Sequence, residues 1–87
     1  MPDERMTSFK EKLDAAYVWP SLYMFKFIVP QQRVQEVKVL FPNHVPTEKQ
    51  SDKGKYTSIT FSMMMPSSEA VVSVYQKVWH IEGLIAL

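Results

Sequence analysis

The residues from Tyr56 to Met65 alternate cleanly. Ile59, Phe61 and Met63 fall on one side, and Tyr56, Ser58, Thr60, Ser62 and Met64 on the other. A period of two is the pattern of a strand with one buried face. Ser21 to Val29 also predicts a strand, but both of its sides are largely apolar: Tyr23, Phe25, Phe27 and Val29 on one, Leu22, Met24, Lys26 and Ile28 on the other. Such a strand belongs in the middle of a sheet. Lys26 chooses its inward side, because an unpaired ammonium in a packed core is costly, so the Tyr23/Phe25/Phe27 side is assigned to the core.

Helical spacing fills the intervals between strands. Ser8 with Glu11 matches a capping box, and Phe9, Leu13, Ala16 and Tyr17 then share a face. This predicts a short helix from Ser8 that ends before Trp19-Pro20, after a flexible tail over 1–7. Pro30 is placed at the start of a second helix. Val34, Val37, Leu40 and Phe41 form its apolar stripe, and Pro42 stops it. Pro66-Ser67-Ser68-Glu69 opens a third helix with a capping serine and an acid near the positive end of the dipole. Val71, Val74, Tyr75 and Val78 form its stripe, His80 lies in its last turn and Gly83 ends it.

Two weaker strands complete the set. Val45 to Ser51 is polar, with Pro46, Glu48 and Lys49 suited to a sheet edge. Leu84 to Leu87 is a short final strand. Asp52-Lys53-Gly54-Lys55 reads as a hairpin loop in which Gly54 can adopt positive φ. After the first helix the order is βαββαβ. Two right-handed crossovers then give an α+β ferredoxin-like sandwich: a four-stranded antiparallel sheet in the order 4-1-3-2, with two helices on one face and a short N-terminal helix. The single domain is expected over 8–87.

Composition supports a thin but real core. The chain has 87 residues, of which 46% are apolar or aromatic, and no cysteine. At this length folding buries only about 60–65% of the unfolded chain's surface. The formal net charge of +1 provides no long-range attraction for nucleic acid or an anionic membrane. The N-terminus carries charges of both signs and leads into no apolar stretch, and the longest apolar run is far too short to span a bilayer. A cytoplasmic protein with no membrane contact is expected.

Three stretches resemble the YbeD-like family of small uncharacterised bacterial proteins. They are Trp19-Pro20 with Tyr23-Met24-Phe25-Lys26, the run Ser51-Asp52-Lys53-Gly54-Lys55-Tyr56-Thr57-Ser58, and the end from Val74-Tyr75 through Ile81 to Leu87. The middle one matches a Ser-x-Lys-Gly-x-Tyr-x-Ser pattern and is the specific part. The resemblance implies a ferredoxin-like fold similar to ACT regulatory domains, which bind small ligands at dimer interfaces, and it implies no enzyme activity. The segment between Val29 and Arg33 departs from that pattern. It is short and reads Pro30-Gln31-Gln32, without the glycine that often shapes an ACT-type pocket.

The residues suggest no catalytic site and no cofactor. His44, Glu48, His80 and Glu82 lack the spacing of zinc ligands. No serine sits in a glycine-rich elbow beside an oriented base. Asp14, Glu36, Glu48 and Glu69 are scattered over helices and turns, and Gly54 stands alone between lysines rather than in a phosphate loop. RNA binding is the alternative, because RNA-recognition motifs share this topology and Lys53-Gly54-Lys55-Tyr56 echoes the start of their signature. That mechanism stacks bases on aromatics of the open sheet face, and here only Tyr56 is assigned to that face.

The open face itself is the candidate surface. It is expected to show Leu22, Met24, Lys26 and Ile28 beside Tyr56, Ser58, Thr60, Ser62 and Met64, which is little charge for a solvated face. Lys26, Met24, Tyr56, Ser58, Thr60 and Ser62 are the candidate binding residues, with Ser51, Lys53 and Gly54 as the hairpin motif. Two readings stand open. The face binds a small ligand or a protein partner, a second copy of the chain included, in a non-enzymatic regulatory or interaction module. Or it has no binding role, being either a moderately apolar exposed face or one covered by the N-terminal helix through Phe9, Leu13 and Tyr17.

Overall fold

The computed structural model describes residues 4–51 and 53–87. The elements are α1 (Glu4–Ala16), β1 (Ser21–Pro30), a 3-10 turn (Gln31–Arg33), α2 (Val34–Lys38), β2 (Thr47–Gln50), β3 (Tyr56–Met65), α3 (Ser68–Val78) and β4 (Ile85–Ala86). The four strands form one sheet in the order β2-β3-β1-β4, and every adjacent pair is antiparallel. β1 and β3 are the inner strands, paired from Ser21↔Met65 to Pro30↔Tyr56.

The inward side of this pair builds the core. Phe25, Phe27 and Val29 of β1 and Ile59, Phe61 and Met63 of β3 are buried, together with Val71, Val74 and Val78 of α3. Val37 of α2, Phe41 beyond it and Leu13 of α1 join the same cluster. The alternation of β1 and β3 therefore faces as expected, and a buried phenylalanine such as Phe61 contributes about 1.5–3 kcal/mol.

All three helices lie on that side. α1 docks against α3: Phe9 meets the Tyr75 ring edge-on at 5.6 Å, and Lys10 is paired with Glu69 at 2.9 Å. Ser67 caps α3 by accepting a hydrogen bond from the Ala70 N–H at 3.2 Å. Gly54 and Gly83 take positive φ (67° and 81°), Gly54 within the hairpin and Gly83 just before β4.

The helix boundaries depart from the sequence expectation in three places. α1 begins at Glu4, so Ser8 lies inside the helix rather than at its cap, and 4–7 of the expected tail are helical. From Glu4 to Ala16 the sequence holds no proline or glycine to break a helix, and a Ser-x-x-Glu pair also fits a helix interior. Residues 1–3, the rest of that tail, and Asp52 of the hairpin loop lie outside the described residues.

The second helix is broken up. Pro30 closes β1 rather than opening the helix, and α2 proper spans five residues. The following turn is tighter, with Leu40 N–H donating to Val37 and Phe41 N–H to Lys38. Val34, Val37 and Val39 are β-branched, and prolines stand at 30 and 42, so the segment has little intrinsic drive for a longer helix. His80 follows α3, whose C-cap is Trp79, instead of lying in its last turn. The outer strands are also shorter than expected, at Thr47–Gln50 and Ile85–Ala86.

Candidate functional site

Strand register lays out the outward face row by row. Lys26 stands opposite Thr60, Met24 opposite Ser62, Ile28 opposite Ser58 and Leu22 opposite Met64. Directly opposed residues lie on the same face about 4.5–5.5 Å apart, and their diagonal neighbours about 7–8 Å apart. Lys26 therefore sits over the middle of the two inner strands, beside Thr60 and diagonal to Ser58 and Ser62. The register brings together Lys26, Met24, Ser58, Thr60 and Ser62 as one group, with Tyr56 at the far end opposite Pro30.

The helices leave this face uncovered. Leu13 of α1 belongs to the core cluster, and Phe9 and Tyr17 pack against it from the helix side. The reading in which α1 lies across the open face is thereby corrected. The cause is the aromatic seam: Tyr17 contacts Tyr23 at 5.6 Å and Phe9 contacts Tyr75, both on the inward side. Leu22, Met24 and Met64 consequently remain 61, 66 and 63% exposed.

β2 adds a cation that the sequence reading did not assign. Thr47 pairs with Thr60 and Lys49 with Ser58, so Lys49 shares the outward face. Glu48, one position away, points to the helix side and meets Lys38 at 3.0 Å. The outward strand positions thus carry Lys26 and Lys49 and no side-chain carboxylate. On the other flank Ile85 pairs with Ile28 and extends the apolar part. Both additions follow from the period of two, once the strands are placed in register.

The hairpin motif closes the turn that feeds β3. Ser51 N–H donates to Tyr56 C=O at 2.9 Å, Gly54 N–H to Ser51 C=O at 2.9 Å, and Tyr56 N–H to the Ser51 hydroxyl at 3.3 Å. Lys53 is exposed. Thr57 is buried, and its hydroxyl donates to the Gln31 side chain, fastening the hairpin to the end of β1. A shallow recess of about 390 Å³ lies there, lined by Pro30, Gln31, Gln32, Gly54, Lys55 and Tyr56. It adjoins the face at Tyr56.

The scattered acids have local partners. Asp14 accepts from the Trp19 indole at 2.9 Å, and Glu36 is paired with Arg33 at 2.9 Å. A hydrogen bond from Ser68, then that from Trp19, holds the Asp14 carboxyl below its ordinary range. The hydrogen bond and charge of Glu69 raise Lys10. Among the described residues no group of three or more His, Asp or Glu side chains could hold a metal ion. No helix among them is long and apolar enough to cross a membrane.

One family model, described as a protein of unknown function (DUF493), matches residues 14–87. Neither the curated proteins nor the solved structures yield a match.

Proposed function

The chain belongs to the DUF493 family, and we propose that it is a non-enzymatic interaction module whose open sheet face recognises an anionic group, carried by a small ligand or a partner protein. The observation that carries this reading is Lys26. It stands on an inner strand, between exposed Met24 and the Ser58/Thr60/Ser62 row, on a face whose described strand positions carry a second lysine and no side-chain carboxylate. A lysine stem can pack along apolar neighbours while its ammonium stays in water. Hydroxyls at that spacing add donors for a carboxylate or phosphate, and the exposed Leu22, Met24 and Met64 add apolar area.

The ferredoxin-like, ACT-like and YbeD-like readings are part of this proposal. The order β2-β3-β1-β4, taken from the other edge, runs 4-1-3-2. The Ser-x-Lys-Gly-x-Tyr-x-Ser stretch supports the YbeD-like reading by closing the hairpin and delivering Tyr56 and Ser58 to the face. A regulatory role in the cytoplasm is proposed on the same resemblance.

RNA binding is less well supported. Phe25, Phe27 and Phe61 are buried, which leaves Tyr56 as the strand aromatic on the open face. A fluorescence titration with short single-stranded oligonucleotides at two salt concentrations separates the readings. The interaction module gives weak background binding. Tight binding that falls steeply with salt and is lost in Tyr56→Ala contradicts it.

A further inference from the structure

The open face is polarised along its strands. The rows Leu22↔Met64 and Met24↔Ser62 form one end, where Leu22, Met24 and Met64 are mostly exposed. The next two rows carry the cations, with Lys26 opposite Thr60 and Lys49 of β2 opposite Ser58. Rows on one face are about 7 Å apart along a strand. Lys26 thus stands about 14 Å beyond Leu22, and Lys49 lies one row further.

The shape of this stretch suits a protein better than a small molecule. Small ligands are held in concavities. The recess at the hairpin is lined by Pro30 to Gln32 and Gly54 to Tyr56, and takes in neither the apolar end nor the two cations. Met24 and Met64 are unbranched and adaptable, as suits a surface that packs against another chain's side chains.

The sheet also limits the form of that chain. β1 and β3 spend their facing backbone groups on each other, so the face offers side chains alone. A segment laid on it must satisfy its own N–H and C=O groups. An α-helix does so internally, and a single strand does not. The core and its helices occupy the other side of the sheet. A helix on this side completes a three-layer α/β/α arrangement.

We propose that the open face docks an acidic amphipathic helix of a partner protein, lying along β1 and β3. Its apolar residues meet Leu22, Met24 and Met64, and its carboxylates meet Lys26 and Lys49. The proposal rests on Lys26 as an anion-recognising group and adds the class of partner. Charge complementarity carries it, because the described outward strand positions hold two lysines and no side-chain carboxylate. A helix rises 1.5 Å per residue, so one 7 Å row corresponds to about four or five of its residues. The matching stripe has acids at i and i+4, on Lys49 and Lys26, and apolar residues at i+8 and i+11, on Met24 and Leu22. Acids in the first turns also suit the helix's own dipole.

An NMR titration of the full chain tests this with a helical peptide bearing glutamates at i and i+4 and leucines at i+8 and i+11. A second peptide of the same composition carries its glutamates on the opposite helical face, and acetate and inorganic phosphate are titrated alone. The first peptide is expected to shift Leu22, Met24, Lys26, Lys49 and Met64, to stay helical when bound, and to bind about tenfold tighter than the second, a difference of about 1.4 kcal/mol. Lys49→Glu, an exposed change, is expected to weaken it, and a peptide with lysine at i is expected to restore binding to that variant. Equal binding of the two peptides, binding in an extended form, or a charge exchange that restores nothing overturns the proposal. So does a free chain whose Leu22 and Met24 signals shift with its own concentration, the mark of a second copy on this face. If acetate or phosphate engages Lys26 and neither peptide binds better, the helix is overturned and the anion-recognition reading stands. If nothing engages Lys26, both fall.

Discussion

The phenol oxygens of Tyr23 and Tyr75 lie 3.3 Å apart, joining β1 to α3 where α1 meets them both. The Tyr75 ring also stands edge-on to Phe9, Phe25 and Phe27. Tyr75→Phe keeps these contacts and is expected to cost about 1 kcal/mol for the lost hydrogen bond. Tyr75→Ala is expected to cost clearly more, because rings on two elements, α1 and β1, lose a common neighbour. Urea denaturation of both variants checks the ranking.

Burial, and then the hydrogen bond with Tyr23, push the Tyr75 phenol above its ordinary value. A raised folded-state value means the folded protein keeps a proton that the unfolded chain releases. The stability this contributes is complete below the ordinary tyrosine value of about 10 and is lost as the pH rises through the folded value. Melting temperatures measured from neutral to strongly alkaline pH should therefore fall less steeply in Tyr75→Phe than in the parent.

Asp14 behaves with the opposite sign. Its carboxyl is held low by Ser68 and Trp19, so the stability it contributes is present above the unfolded value of about 3.9 and is lost as the pH falls through the lowered folded value. The gap in melting temperature between the parent and Asp14→Asn is expected to be constant near neutrality and to close in acid. A gap that is independent of pH contradicts a role for the ionised carboxylate.

The two glycines separate backbone strain from crowding. Gly54 has φ +67° with nothing within 4 Å of an added Cβ, whereas at Gly83, φ +81°, that atom would stand 2.8 Å from Pro30 Cγ. Gly54→Ala is expected to cost about 1–2 kcal/mol, the left-handed backbone penalty alone. Gly83→Ala is expected to cost more, because it also displaces Pro30. Equal losses on chemical denaturation would contradict the close approach.

Phe61 is 1% exposed and packs against Phe41 at 5.1 Å between ring centroids. Phe61→Ala is expected to cost about 3–5 kcal/mol, and a loss below about 1 kcal/mol would mean that β3 faces the other way.

The inner strands were legible in the sequence because alternation and a single lysine suffice to orient them. Tyr56 to Met65 shows its period directly, and Lys26 chose the side of β1 that the structure exposes. Helix ends were less legible. Ser8 and Glu11 satisfy a capping pattern that also fits a helix interior, and Pro30 suits a strand end as well as a helix start. The sequence marks Lys49 as an edge charge but does not place it on the open face, because a four-residue strand of Thr47, Glu48, Lys49 and Gln50 has no hydrophobic pattern of its own. Its facing exists only through pairing with Ser58.

Lys26→Met tests the central claim most directly. The variant keeps the stem's packing and removes the ammonium at the middle of the open face. The measurement pairs thermal unfolding with an NMR titration of parent and variant, using a fixed panel of carboxylate and phosphate compounds and an acidic amphipathic peptide. The account expects an unchanged or slightly higher melting temperature, together with shifts at Met24, Lys26, Ser58, Thr60 and Ser62 in the parent that vanish in the variant. Substantial destabilisation with no change in binding, or shifts that persist without the ammonium, would contradict it.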